Sequence, residues 1–294
     1  MPAITTPFDA SGAIVEEAFV ANIARLFDAG ATGMVAAGCT GEFWALSSQE
    51  RADLARLTVQ ACAGRGPAIV GTGAITEAEV IEQTFAAKEA GADGVLVLPP
   101  YFARLTDAEI IAHFEAVDAG TALPIVLYNI PGNAGNAITP ELADTLADLD
   151  NVVAIKESSG SWGNFHATLL RVKDRIRVFC GPSSAFGVPA TLAGADGLID
   201  CFPNVWTGCL DMWNATRAGR KEEAWQLQAT GVALTELFTS EGRTLYPSTK
   251  AAMNGLGLPG GGAMRPPLRD LPDIEQERLM RGMSSILHRS AKVA

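Results

Sequence analysis

Eight short apolar runs, recurring at intervals of about 20 to 35 residues, constrain the fold of this chain more than any other feature. They cover residues 3–6, 33–37, 68–71, 94–98, 124–128, 152–156, 177–180 and 197–201. Longer amphipathic stretches alternate with them, at 16–29, 48–63, 77–90, 107–118, 140–149 and 164–173. One phrase recurs before three of the runs: Ala29-Gly30-Ala31-Thr32-Gly33, Ala90-Gly91-Ala92-Asp93-Gly94 and Ala193-Gly194-Ala195-Asp196-Gly197. In each, glycine ends a helix and a tight turn feeds the next strand. Strands alternating with helices imply a parallel sheet. Eight such units predict an α/β fold of the closed (β/α)8 TIM-barrel kind rather than an open doubly wound sheet. A chain of 294 residues suits one such barrel. No G-x-G-x-x-G follows the first strand, which removes the signature of a dinucleotide site.

Beyond Val205 the pattern is helical, with predicted helices at 206–218, 221–239, 246–256 and 274–287. The division expected is a barrel over 1–220 and a C-terminal helical appendage over 221–294. The Pro259-Gly260-Gly261-Gly262 stretch lies far from any strand-to-helix junction and reads as a flexible linker rather than a phosphate loop.

The formal charge of −11 argues against nucleic acid as a partner, because phosphate binding needs clustered lysine and arginine. One local cation or a set of backbone N–H groups can still hold an anionic substrate. The five cysteines (Cys39, Cys62, Cys180, Cys201 and Cys209) are odd in number and lack CxxC spacing, so neither a zinc site nor a disulfide framework is expected. Free thiols fit a reducing compartment, and a cytoplasmic location is the expectation. The histidines His113, His166 and His288 show no ligand spacing and read as helix-surface or capping residues, not as a metal site. There is no signal-like N-terminal segment and no run of 18 apolar residues, so neither secretion nor a membrane partner is expected.

Chemistry collects at the C-terminal ends of barrel strands. The run over 151–155 ends in Lys156, and the chain's other five lysines end no such strand. Desolvation there lowers an ammonium's pKa and leaves a nucleophilic amine, as a Schiff-base lysine requires. The alternative is a lysine that snorkels, or that pairs with Glu157. Gly38-Cys39-Thr40-Gly41-Glu42 follows the second strand. It is either an ordinary βα turn or a cradle whose N–H groups and Thr40 hydroxyl hold a carboxylate. Tyr101 and Phe102 follow a stiff double proline, and such loops pack or present aromatics. Tyr128, one of only three tyrosines, ends the fifth strand, where a phenol can relay protons or bridge core and solvent.

In this order the motifs resemble the dihydrodipicolinate synthase / N-acetylneuraminate lyase family of class I aldolases. The family's G-x-T-G-E, Y-N-x-P and I-K-E motifs stand at Gly38 to Glu42, Tyr128 to Pro131 and Ile155 to Glu157, and the opening Ile4-Thr5-Thr6-Pro7-Phe8 matches as well. The resemblance covers essentially the whole chain. It implies a (β/α)8 barrel with extra C-terminal helices, usually a homotetramer built as a dimer of dimers, with no cofactor and no metal. It implies that Lys156 condenses with a 2-oxo acid, typically pyruvate, and that Tyr128 shuttles protons. Cys39 and Thr40 match the carboxylate cradle, and Gly181 and Ile199 match pocket-lining positions.

The chain departs from the synthases in three places. Cys39 replaces a hydroxyl residue that would bond the phenol. Tyr101-Phe102 stands for paired tyrosines, so the second phenol is lost. Asn133 stands where the synthases carry an arginine for the aldehyde's carboxylate. The acidic pair of the neuraminate lyases reads Ser183-Ser184 here, and Gly41-Glu42-Phe43-Trp44 is closer to a stretch in sugar-acid dehydratases of the family. The expected activity is that of a Schiff-base lyase, aldolase or dehydratase, on pyruvate or a 2-keto-3-deoxy sugar acid. The alternatives are a 4-hydroxy-tetrahydrodipicolinate synthase with an altered relay and a barrel that binds oxo acids without turnover.

Overall fold

The computed structural model describes residues 1–291. Seven parallel strands lie in chain order: β1 (Met34–Ala36), β2 (Ala68–Gly71), β3 (Gly94–Val97), β4 (Ile125–Asn129), β5 (Val152–Glu157), β6 (Arg177–Cys180) and β7 (Gly197–Leu198). Residues 2–4 close the ring. Ala3 donates its N–H to the Asp200 carbonyl at 2.8 Å, Ile4 donates to Val35 at 2.9 Å, and Val35 donates to Pro2 at 2.9 Å. The fold is therefore a (β/α)8 barrel, with its first strand reduced to bridges between β7 and β1.

The expected strand over 3–6 is shortened for a local reason. Pro2 has no N–H to offer a ladder. Thr5 and Thr6 leave the sheet and donate their hydroxyls to the Gly260 and Gly41 carbonyls at 2.6 and 2.8 Å.

Helices α1 (Glu16–Asp28), α2 (Ser48–Cys62), α3 (Glu77–Glu89) and α4 (Asp107–Thr121) wrap the first half of the barrel. Ser47 and Thr106 start α2 and α4 with capping boxes, satisfying the free N–H groups of each first turn. The glycines of the repeated phrase, Gly30, Gly91 and Gly194, have φ of +96°, +87° and +107°, a conformation that side chains resist. The three turns are thus the same device for redirecting the chain from helix to strand.

A short helix α5 (Pro131–Ala134) follows β4, and α6 (Pro140–Leu146) and α7 (Trp162–Val172) flank β5. Helix α8 (Ser183–Ala193) was hidden in the sequence by Gly187 and Pro189. A kink at Phe186 (φ −144°, ψ 34°) breaks it, so Pro189 falls in the first turn of the resumed helix, where its missing N–H costs little.

Helices α9 (Gly208–Arg217), α10 (Lys221–Phe238), α11 (Leu245–Gly255) and α12 (Asp273–Ala291) follow the barrel strands. Phe202, Leu234, Phe238, Met253, Leu279 and Met283 form their common apolar cluster, and α10 also packs on α8.

Two expectations fail here. Residues 259–262 are not a flexible linker. Gly260 and Gly261 are buried, Gly260 accepts from Thr5, and Gly262 exchanges hydrogen bonds with the Asn254 amide. His113 is not at the surface. It is buried in the core against Phe114, and burial pushes its imidazole pKa down, so the ring rests neutral.

Candidate active site

Adjacent strands in register bring Lys156 and Tyr128 side by side, at paired positions of β5 and β4. The Lys156 Nζ stands 4.3 Å from the centre of the Tyr128 ring, and both residues are buried. Successive strand residues face opposite ways, so Glu157 turns outward while Lys156 turns into the barrel. Glu157 is occupied there by the amides of Asn129 and Asn164 and by the Ser159 N–H. Pairing between Lys156 and Glu157, the alternative open from sequence, is thereby excluded.

Burial lowers the pKa of the Lys156 amine; nearby acidic groups, Cys39 first and then Asp200, pull the other way. The Asp200 carboxylate, just past β7, accepts from Ser183 Oγ at 2.7 Å, the Ser184 N–H at 2.9 Å and the Cys201 N–H at 2.6 Å. These donors satisfy a charge inside the barrel end without consuming the lysine.

The turn after β1 carries Cys39 and Thr40, both buried. It is closed by hydrogen bonds from the Gly41, Glu42 and Phe43 N–H groups; those of Cys39 and Thr40 are not among them. Ala37 (φ +49°) and Glu42 (φ +56°) hold left-handed conformations at the two ends of the turn. Such strain persists only where surrounding structure imposes it. Here β2 does so: a Cβ on Gly71 would lie 2.2 Å from the Ala37 carbonyl oxygen, so only glycine admits the turn.

Two phenols, those of Tyr128 and Tyr246, pack in the same apolar cluster as Cys39. Tyr246 comes from the first turn of α11, far along the chain. Its ring tilts against Trp44 at 5.4 Å, and its hydroxyl accepts from the Asn133 Nδ2 at 3.4 Å. The Trp44 indole N–H is buried and has no partner among the described residues. Burial raises the pKa of Tyr128 and of Tyr246 well above the ordinary phenol range, and that of Cys39 above the ordinary thiol range. All three groups therefore rest protonated near neutrality.

The sequence-derived candidates are distributed unevenly. Cys39, Tyr128 and Ile199 share one cluster with Tyr101, Trp44 and Tyr246 packed against it. Asn133 is exposed at the rim. Gly181 directly follows β6, and a Cβ there would lie 1.7 Å from Ser158 Oγ, so its glycine allows the chain after β6 to pass close to the end of β5. Tyr101 is half-buried with its ring edge-on to Phe43 at 6.0 Å. Sequence reasoning did not select Tyr246, Trp44 or Asp200 as site residues. The only signal for Tyr246 was its rarity as one of three tyrosines.

A strand-end lysine beside a strand-end phenol in a closed barrel is the arrangement a family model for the whole chain can test. The model of the dihydrodipicolinate synthetase family matches residues 1–286. The chain belongs to this family. It is accordingly an enzyme of the lysine Schiff-base class of lyases. A 4-hydroxy-tetrahydrodipicolinate synthase of Halorhodospira halophila is 34% identical over 289 residues, covering 96% of this chain and 95% of the relative. One of Alkalilimnicola ehrlichii is 35% identical over 288 residues, with 96% of each covered. Among solved structures, a prophage protein of the family from E. coli K12, in complex with pyruvate, superposes with a TM-score of 0.92 at 29% identity and 97% coverage of both chains.

Proposed function

We propose that the protein is a lyase that holds a 2-oxo acid as an imine on Lys156 and breaks a bond beyond C3. The observation that carries the reading is the buried Lys156 amine, depressed in pKa and 4.3 Å from the Tyr128 ring. A neutral amine attacks the keto carbon, and Tyr128 supplies the proton with which the carbinolamine oxygen leaves as water. The protonated imine then draws electrons from C3. In a 2-keto-3-deoxy sugar acid, the C4 hydroxyl gives up its proton and the C3–C4 bond breaks, leaving an aldehyde and the enamine of pyruvate. Alternatively, C3 loses a proton and the C4 hydroxyl leaves as water. The Cys39 and Thr40 N–H groups and the Thr40 hydroxyl are suited to the C1 carboxylate.

Neutral donors at the rim favour a hydroxylated rather than an acidic distal half. Asn133 offers an exposed amide. The names of the relatives favour a second reading, condensation of pyruvate with aspartate semialdehyde. The chain is further proposed to work as a homo-oligomer. Phe102 is 95% exposed at φ +77°, a strained presentation of an apolar ring that a second copy would cover.

Treatment with pyruvate and borohydride, followed by peptide mapping, tests the imine. A reduced adduct on Lys156, absent from Lys156→Ala, is expected. An unmodified Lys156 would overturn the reading. A screen of 2-keto-3-deoxy aldonic acids, followed for pyruvate release or loss of water, then separates cleavage from dehydration.

A further inference from the structure

We propose that Asn136 is a positioning residue for the distal half of the substrate. Its buried amide latches the loop that carries Tyr101 to the loop that carries Asn133. The proposal rests on the imine chemistry read for Lys156 and concerns the part of the substrate beyond C3.

The two loops follow adjacent strands. One leaves β3 and runs to α4; the other leaves β4, the strand of Tyr128, and runs to α6. Loops at the C-terminal ends of barrel strands build the substrate site. With the oxo carbon on Lys156 and the C1 carboxylate at the turn after β1, the carbons beyond C3 point to the Tyr128 side, where these two loops meet.

Asn136 is 5% exposed and belongs to the second loop, yet its amide is spent on the first. Nδ2 donates to the Pro100 carbonyl at 2.6 Å and to the Ala103 carbonyl at 2.8 Å, and Oδ1 accepts from the Leu105 N–H at 3.0 Å. Two acceptors and one donor around the group fit an asparagine amide and neither an aspartate nor a leucine of the same size. The backbone groups it holds bracket the Tyr101-Phe102 pair. The latch thereby fixes a turn in which Phe102 takes φ +77°, a strained conformation that persists only where the surroundings impose it. Held this way, the Tyr101 ring stands edge-on to Phe43 at 6.0 Å.

The other side of the latch is anchored as well. Asn129, at the end of β4, closes the base of its own loop by bonding the Ile138 N–H and carbonyl at 2.8 and 2.9 Å. The same amide donates at 2.7 Å to Glu157, the neighbour of Lys156 on β5. Asn129 and Glu157 are both fully buried. A supported line therefore runs from β5 through Glu157, Asn129 and the segment 136–138 to the turn of Tyr101. Asn133 lies three residues before Asn136, so the latch sets the gap between Asn133 and Tyr101. None of these bonds involves Lys156 or the turn after β1. The latch thus acts on the distal half of the substrate and not on its pyruvyl half, and its effect is to remove loop ordering from the cost of binding.

Borohydride trapping with two oxo acids separates these halves without requiring turnover. Pyruvate has no distal half, and 2-keto-3-deoxygluconate has one. The readout is the concentration of each acid that half-saturates total labelling of Lys156 at short times. Asn136→Ala is expected to raise that concentration about tenfold for 2-keto-3-deoxygluconate, the worth of one or two hydrogen bonds, and to leave that for pyruvate unchanged. Tyr101→Ala should shift the longer acid in the same way. The double variant should lose no more than the larger single loss, because the latch acts through the Tyr101 turn. Asn136→Ser, which can replace one donor, should show a smaller split and serves as the reading if Asn136→Ala does not fold. An unchanged ratio between the two acids in the Asn136 variants would overturn the proposal, and so would equal losses for both acids, which mark a merely structural role. Losses that multiply in the double variant would also overturn it. A smaller oligomer with an unchanged ratio would reduce Asn136 to a support for Phe102 and overturn it too. Absence of any pyruvate adduct in the wild-type protein is a separate outcome, which removes the Lys156 chemistry itself.

Discussion

Glu42 and Lys250 form a buried ion pair that ties the turn after β1 to helix α11. The Glu42 carboxylate also accepts the Arg265 N–H at 3.1 Å, while the Lys250 Nζ lies 4.3 Å over the Phe8 ring. The strained turn that presents Cys39 and Thr40 and the helix that presents Tyr246 are therefore fixed to one another through charges that water does not reach.

Removing one partner of this pair leaves the other charge buried and unmatched. Lys250→Met is expected to destabilise the fold by about 3–5 kcal/mol, the usual cost of a broken buried pair. Glu42→Gln combined with Lys250→Met should recover much of that loss, because neither charge then remains. Denaturant midpoints of the two single variants and the double variant measure the coupling. Additive single losses would mean that the two charges do not depend on each other.

Tyr128→Phe is expected to keep the Lys156 adduct at least in part and to lower kcat by about 10²–10⁴-fold. The ring still packs, but the hydroxyl that would carry the proton is gone. Near-normal turnover on the true substrate would remove Tyr128 from the mechanism.

Condensation of pyruvate with aspartate semialdehyde is expected to be weak. A carboxylate at the rim meets the neutral Asn133 amide, already engaged with Tyr246. A charge-assisted bond contributes roughly 1.5–3 kcal/mol, so Asn133→Arg should raise kcat/KM for this aldehyde about tenfold or more. A coupled assay on both proteins decides the point. A wild-type kcat/KM above about 10⁴ M⁻¹s⁻¹ would promote the synthase reading.

Acid stability is expected to depend on Glu50. The Arg265 guanidinium, bonded to both Glu50 oxygens at 2.6 and 2.9 Å, lowers this carboxyl from 4.5 to about 2. A carboxyl depressed in the folded state stabilises above its unfolded pKa, and that stability is lost as pH falls through the folded value. The window therefore runs from about 4.5 down to about 2. Glu50→Gln should flatten the fall of unfolding free energy within that window while changing little of its slope above pH 6. Chemical denaturation at stepped pH measures it, and identical slopes in the two proteins would contradict the assignment.

Short-range physics is written directly into the chain. Apolar runs at a fixed interval, with Gly30, Gly91 and Gly194 at the same place in a repeated phrase, specify strand, helix and turn, and eight such units lead to a barrel. Because barrel strands pair in order and expose their C-terminal ends on one face, Tyr128 and Lys156 were legible as neighbours before any coordinates. Whether Glu157 paired with Lys156 was open in sequence and was closed by the alternation of faces on β5. Tyr246, Asp200 and Trp44 were not legible as site residues, nor was the burial of His113 or the packed turn at 259–262. Each depends on which helix or loop docks where. That docking is decided by contacts between residues remote in sequence, such as Glu42 with Lys250 and Thr5 with Gly260, and such contacts leave no periodic trace in the chain.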